Sequence, residues 1–318
     1  MRLIVELSGE HPELPFAELQ VVGEVIDKRP QVAVVESGDP WSARRLAMAH
    51  SVLEYLGDTP ADPESFTAMV RDLGITAGCP FAVRVKKIAG SAWNVAVPEL
   101  ERRIGSMITG PVDLEDPGCE FRAILSGDRC YFGKVLFHGE RPSYELRRPG
   151  SRTFFHPGVM MPRLARALIN ISLVAPGETL LDPFCGTGGI VLEAILVGAR
   201  GIGSDIDPFM VSGSRKNVGG AEFVQAACGA LPFGEACIDA VVTDLPYGQS
   251  VSIVAGSLDS LYDDALLEIR RVLLPGKRAV IVTHRDISRQ AAGILSVRAC
   301  YAQRVHKSLT RRILVLER

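Results

Sequence analysis

Hydrophobic and polar positions fall into two textures along this chain, and the change lies near residue 150. In the first half, residues 2–7 and 31–36 ("QVAVVE") predict strands, with a helical stretch around 13–26 between them. The stretch "ARRLAMAHSVLEYLG" (43–57) has apolar residues at helical spacing and closes on Gly57, so it predicts a C-capped helix. After Pro60 and Pro63 come a helix over 64–73, a strand "FAVRVKKI" (81–88) and a helix "PELERRIGSMI" (98–108). A hairpin over 121–137 follows, turning at Ser126-Gly127-Asp128. Short strands and helices alternating in this way predict two small α+β units rather than one large sheet.

From about residue 153, strands and helices alternate at longer spacing. "TLLDP" leads into a glycine-rich loop and the helix "GGIVLEAILVGA", and "GIGSD" leads into a helix over 208–217. "AVVTD" precedes a helix over 258–273, and "RAVIVTH" follows it. The tail, "RACYAQRVHKSLTRRILVLE", reads as two strands joined by a basic turn. The fold class this predicts is α/β: a C-terminal doubly wound, Rossmann-like sheet closed by an antiparallel strand, preceded by the α+β half.

With 318 residues and 47% hydrophobic composition, the chain is long enough for two or three domains. No apolar run reaches the roughly 20 residues of a membrane span, and "MRLIVELSGE" lacks a secretory cleavage pattern. The seven cysteines are scattered without C-x-x-C spacing, so neither a disulfide framework nor a metal cluster is expected. A cytoplasmic, soluble protein with reduced thiols and no metal is the expectation.

The net charge of −2 conceals a partition that changes this picture. Residues 141–170 carry six Lys/Arg against one acid, and 270–318 carry twelve against two. Between them, residues 171–269 carry three against thirteen. Two basic blocks in an otherwise acidic chain point to a polyanionic partner, because clustered Lys and Arg neutralise phosphates.

The loop "LDPFCGTGG" (181–189) is glycine-rich but is neither G-x-G-x-x-G nor a P-loop. It opens on Asp182, continues through Pro183 and Phe184, and offers Gly186 and Gly188 for a tight turn. A carboxylate beside the loop would repel pyrophosphate but suits an amino-acid ammonium group. Asp205, followed by Ile206 and the helix-capping Asp207, ends the next strand, where a carboxylate accepts both hydroxyls of a ribose. An amino-acid anchor followed by a ribose anchor describes S-adenosylmethionine. "DPFCGTGGIVLEA" with "GSDID" resembles motif I and the acidic loop of class I S-adenosylmethionine-dependent methyltransferases. One departure is Ala227, where that family commonly has an acid holding the adenine amino group.

Asp244, Leu245, Pro246 and Tyr247 end the later strand as "DLPY", which resembles the D-P-P-Y element of methyltransferases acting on exocyclic amines. The resemblance implies that Asp244 and the Leu245 carbonyl accept the two N–H groups of a delocalised amine. Pro246 biases Leu245 away from the α region, and Tyr247 offers a ring for a flipped base.

The first half then indicates the polymer. "FAVRVKKI", "ELERRIGSMI", "VDLEDPGCEFRAIL" and "YFGKVLF" resemble a THUMP domain, an RNA-binding module, and the unit before it resembles the ferredoxin-like domain that usually precedes one. "FFHPGVMMPRLARALINIS" and "RVHKSLTRRILVL" resemble the archaeal-type tRNA (guanine-10-N2) methyltransferases over essentially the whole chain. That resemblance implies a ferredoxin-like domain at 1–60, a THUMP domain at 61–140, a linker at 141–155 and a methyltransferase domain at 156–318. It further implies S-adenosylmethionine as cofactor, tRNA as partner, no membrane, and a monomer.

Lys86, Lys87, Arg103, Arg304, His306, Lys307 and Arg311 are candidate RNA contacts, each also readable as a solvated surface charge. His156 fits either the cofactor pocket or a helix cap. Three readings stay open at this level: guanine-N2 methylation of tRNA at guanosine 10 or elsewhere, adenine-N6 methylation, and non-catalytic RNA binding.

Overall fold

The computed structural model describes residues 1–247, 257–306 and 309–318, with the backbone alone at His306. The chain divides into two compact units, Met1–Glu140 and Arg141–Arg318, and each is built on a seven-stranded sheet.

The first unit runs β1 (Arg2–Leu7), α1 (Leu14–Ala17), β2 (Glu24–Arg29), β3 (Val32–Glu36), β4 (Ala49–Pro60), α2 (Pro63–Asp72), β5 (Phe81–Lys87), α3 (Val97–Gly105), β6 (Cys119–Ser126) and β7 (Arg129–His138). The strand order is β2-β3-β1-β4-β7-β6-β5. Most of the expected elements are present, but the helix over 43–57 is not. Ala49–Pro60 is instead a central strand, paired antiparallel with β1 through Val5↔Val52 and with β7 through Leu53↔Val135. Leu, Ala, Met and Glu favour helix by propensity, yet pairing on both sides and burial of Val52 and Leu53 outweigh it. Because β4 bridges both halves, the strands expected in two small sheets join in one. The helical stretch expected over 13–26 ends in a 3₁₀ turn at Glu18–Val21, and β2 follows.

Cys79 and Cys119 form a disulfide, with Cα atoms 6.0 Å apart, against the expectation of reduced thiols. The partners are 40 residues apart in sequence and meet where Phe81 of β5 lies beside Cys119 of β6, so linear spacing carries no trace of the pair.

The second unit runs α4 (Arg141–Leu146), α5 (Pro162–Ile171), β8 (Thr179–Asp182), α6 (Gly189–Leu196), β9 (Arg200–Asp205), α7 (Pro208–Asn217), β10 (Glu222–Gln225), β11 (Ile238–Asp244), α8 (Leu258–Val272), β12 (Leu273–Thr283), α9 (Ser288–Ala292), β13 (Ser296–His306) and β14 (Leu309–Glu317). The strand order is β10-β9-β8-β11-β12-β14-β13. The first five are mutually parallel, and β14 lies antiparallel to β12 and β13, as the tail predicts. The chain winds outward from β8 to β10, then returns to lay β11 on the other side of β8. That reversal opens a crevice at the carboxyl ends of β8 and β11, where open α/β sheets bind ligands. Among the described residues, no helix is long and apolar enough to cross a membrane.

Beneath the crevice, Glu193 of α6 is fully buried and ion-paired with Arg147 (2.8 Å) and Arg166 (2.7 Å). Asn217 ties the same region together: its Oδ1 accepts from the Phe154 amide and its Nδ2 donates to the Phe154 and Thr187 carbonyls. Segment 141–155 is thereby fastened to the loop after β8.

Glu193→Ala should lower the stability of the protein by about 3–5 kcal/mol, because Arg166 is left buried without a counter-charge. Urea denaturation checks this, and pairing Glu193→Leu with Arg166→Met should restore most of the loss.

Candidate active site

Three acids sit at the carboxyl ends of three neighbouring strands. Asp182 ends β8, Asp205 ends β9 and Asp244 ends β11, and the sheet brings them together although they span 62 positions of sequence. A cavity of about 170 Å³ opens beside Asp182 and Asp244 but is not lined by Asp205; His156, Phe184, Gly186 and Thr187 complete its polar and loop side, with Met160, Ile190 and Met210 supplying apolar wall.

The loop after β8 turns through Gly186 and Gly188, both with positive φ (48° and 79°). At Gly188 a Cβ would lie 3.1–3.2 Å from Val218, Phe223 and Ser214, so only glycine lets α6 start this close to α7. Pro183 is buried in the turn, and Phe184 packs partly against the core.

Asp182 is buried, and its Oδ1 accepts from the Thr243 hydroxyl (2.7 Å) and the Phe184 amide (3.2 Å). Burial dominates and pushes its pKa up to about 7, with Asp205 and Asp244 adding repulsion. Asp205 accepts from the Gly186 amide (2.9 Å) on one oxygen and the Asp207 amide (3.0 Å) on the other. Its pKa is also raised, by burial first. The first-strand acid thus reads its own loop, and the second-strand acid pins the glycine turn in place. Asp207 caps α7 through the Phe209 amide (2.8 Å), and Ile206 between the two acids is exposed.

At β11, Asp244 accepts a hydrogen bond from the Tyr247 hydroxyl (2.9 Å). Burial pushes its pKa up to about 6, opposed by the charge of Arg311 and by the Tyr247 bond. Arg311 reaches in from β14 and its Nε donates to the same hydroxyl at 3.3 Å. The Tyr247 phenol is itself held protonated, by burial and by the Asp244 charge. Its ring lies 5.0 Å from that of His284, at 49°, and burial holds His284 below its ordinary pKa. Leu245 is buried and its amide donates to Val282 of β12 (2.9 Å), while the Pro246 carbonyl accepts from the Tyr262 hydroxyl (2.7 Å). Two bonds to neighbouring elements therefore fix the backbone of the motif.

Of the motif residues the sequence singles out, Asp182, Phe184, Gly186 and Asp244 line the cavity, while Asp205 is bonded to the Gly186 amide and Tyr247 to Asp244. Arg311, expected among the RNA contacts, donates to the Tyr247 hydroxyl beside Asp244. Lys86, Arg103 and Arg304 are exposed, and Lys87 donates to Asn94 (2.8 Å). The His306 side chain and Lys307 lie outside the described residues. His156 lines the cavity, with its Nδ1 3.0 Å from the Pro157 carbonyl oxygen. Sequence reasoning passes over Thr187, Met210, Asn217 and His284. Thr187 lies inside the quoted loop and is the one that residue type in context might have flagged.

The site fits S-adenosylmethionine on an observation of the structure as well as on the motifs. The Thr187 hydroxyl is buried at the cavity wall with no hydrogen-bond partner among the described residues, so a polar ligand group there would satisfy it. Two partly protonated carboxylates at the same wall suit a cationic ligand.

Comparison with known proteins agrees. The profile of the RMKL-like methyltransferase domain matches residues 149–313. The tRNA (guanine(10)-N2)-dimethyltransferase of Methanothermobacter thermautotrophicus is 38% identical over the full length of both chains. The enzyme of the same name from Pyrococcus abyssi is 30% identical over 98% of each. The tRNA (guanine(6)-N2)-methyltransferase of Thermus thermophilus is 30% identical over 59% of this chain and 58% of its own. The crystal structure of TrmN from Thermus thermophilus superposes over the whole of both chains with a TM-score of 0.55 at 22% identity, a likeness of fold. By its full-length relatives and its matched domain, the chain belongs to the archaeal-type tRNA (guanine(10)-N2)-methyltransferase family.

Proposed function

We propose that this protein transfers a methyl group from S-adenosylmethionine to the exocyclic 2-amino group of guanosine 10 in tRNA. The observation that carries the reading is that Asp182, of the cofactor loop, and Asp244, of the amine motif, line one cavity. Guanosine 10 is preferred because two relatives named for it match 98–100% of the chain, whereas those named for guanosine 6 match 41–59% of it.

In this reading Asp182 holds the amino-acid ammonium group, the Thr187 hydroxyl meets a polar group of the cofactor, and Asp205 accepts the ribose hydroxyls. The exposed Ile206 side chain offers an apolar face to the adenine, where Ala227 supplies no acid. Bound there, S-adenosylmethionine supplies a sulfonium methyl group whose C–S bond breaks as the amine lone pair forms the new C–N bond. Asp244 and the Leu245 carbonyl accept the amine N–H groups and so draw its lone pair out of conjugation with the ring. Asp244 then takes the proton that the methylated nitrogen releases. Tyr247 holds one Asp244 oxygen and leaves the other for substrate, and Arg311 keeps the pair charged and oriented. After a first methylation one N–H remains, which needs one acceptor, so the same arrangement serves a second transfer.

The first unit supplies RNA binding, with a ferredoxin-like domain at 1–60 and a THUMP domain at 61–140. Lys86, Lys87, Arg103 and Arg304 serve as phosphate contacts. The protein acts in the cytoplasm as a monomer.

Asp205→Ala should weaken S-adenosylmethionine binding by about 1.5–3 kcal/mol, read by calorimetry on the folded variant, since two hydroxyls lose a charged acceptor. Unchanged affinity would remove Asp205 from the cofactor site.

Asp244→Ala should abolish transfer while leaving cofactor affinity nearly intact, because its bonds to the amine strengthen as the nitrogen becomes tetrahedral. Methylated nucleosides from digested tRNA, identified by mass spectrometry, report both the activity and the modified atom. Substantial N2-methylguanosine from the variant, or N6-methyladenosine from the wild type, would sink the reading.

Only the ionised carboxylate accepts a proton, so kcat/KM should rise with pH through about 6, the pKa to which Asp244 is raised in the free protein. Arg311 opposes that rise in pKa, so Arg311→Met should move the profile to higher pH. Tyr247→Phe should move it the same way while keeping the ring. A profile unmoved by either substitution would exclude Asp244 as the titrating group.

A further inference from the structure

Trp41 is the one aromatic among the large apolar side chains left exposed in the Met1–Glu140 unit, with 52% of its surface open. It is rigidly presented. Asp39 caps the 3₁₀ turn Pro40–Arg45 by accepting from the Trp41 amide (3.0 Å), and the Ser42 hydroxyl donates to the Asp39 carbonyl (2.6 Å). Pro40 fixes the turn's first φ. The Trp41 ring stacks on Phe137 of β7 with centroids 5.8 Å apart and planes 27° from parallel. Phe137 in turn packs against the buried cluster of Leu3, Val5 and Val52.

Arg44, three residues on, lies with its guanidinium 4.8 Å from the Trp41 ring centre and 5.3 Å from that of Phe137. Among the described residues it has no carboxylate partner, and its side chain is exposed. The neighbouring Asp39 carboxylate is already engaged by the Trp41 amide. The group thus comprises a half-open aromatic face, an anchored second ring and an uncompensated cation.

We propose that Trp41, backed by Phe137 and flanked by Arg44, is a stacking platform for one unpaired nucleotide of the RNA substrate. A flat aromatic face accepts any base, and an adjacent cation accepts its phosphate. A protein partner would call for a contiguous apolar patch of several hundred Å², whereas here a single aromatic stands beside a free positive charge. The proposal rests on the RNA-modifying reading above and adds a contact in the other unit, remote in sequence from the methyl-transfer motifs. It also accounts for the cost of leaving an indole in water.

The chain has two tryptophans, and Trp93 is buried, so in a Trp93→Phe background the indole emission reports Trp41 alone. Titrating full-length protein with unmodified tRNA should quench that emission. Trp41→Ala should raise the Kd and KM for tRNA about five- to 150-fold, with kcat at saturating tRNA unchanged. Trp41→Tyr should restore most of the affinity. Arg44→Met should weaken binding and lower the slope of log Kd against log salt by about one. Unquenched emission together with an unchanged KM in Trp41→Ala overturns the platform. So does a self-association abolished by Trp41→Ala with tRNA affinity intact, which would assign the surface to a second copy of the chain. A chain that stacks tRNA on Trp41 yet forms no N2-methylguanosine would keep the platform and refute the proposed reaction instead.

Discussion

Three carboxylates crowd the carboxyl edge of one parallel sheet, and the second unit is organised around containing them. Each of Asp182, Asp205 and Asp244 loses solvation there, and all three pKa values are raised. Isolated buried carboxylates are costly, so the fold supplies partial compensation to each: the Thr243 hydroxyl to Asp182, two backbone amides to Asp205, and Tyr247 with Arg311 to Asp244. Full compensation would bury the acids as structure. What is left over is a demand for positive charge and hydrogen-bond donors, which the proposed cofactor and substrate amine would together satisfy.

That demand explains why these residues stand on strand ends. A strand terminus fixes a side chain to within the precision of the sheet, and the reversal between β8 and β11 leaves the crevice open above both. The supports lie one layer further out. Tyr262 from α8 holds the Pro246 carbonyl, Val282 from β12 holds the Leu245 amide, and Asn217 from α7 holds the loop through Thr187. A site on loops alone would lack such bracing.

The acids themselves were legible in the sequence, because each follows a short apolar run and the runs recur at strand–helix spacing. Their supports were not. Arg311 and His284 arrive from β14 and the end of β12, and which strands neighbour β11 is a property of sheet order that no local pattern encodes. Arg311 lies in a basic run, so its type suggested phosphate, and only the antiparallel return of β14 sets it beside Tyr247. In the first unit the loss was larger. The 43–57 stretch has helix-forming residues at helical spacing, and its conversion to strand follows from pairing with β1 and β7, partners more than forty residues to either side. With β4 as a strand, β1–β4 and β5–β7 become one sheet, and a reading residue by residue could not see that merger.

The pKa of Asp182 couples ligand binding to protonation. Near neutral pH, a carboxyl with a pKa of about 7 is close to half protonated. An ammonium group placed against it stabilises the carboxylate form and drives that proton out. In the proposed reading, cofactor binding would release that proton and complete an ion pair, and would bring positive charge to the cavity wall that Asp182 and Asp244 share. Positive charge there would favour the Asp244 carboxylate in turn, leaving the proposed proton acceptor better ionised with the methyl donor in place. After transfer the cofactor would have lost its sulfonium charge and Asp244 would hold a proton, and both changes would weaken the cavity's hold on the product. The same buried acids would thus favour a charged methyl donor over its neutral thioether product.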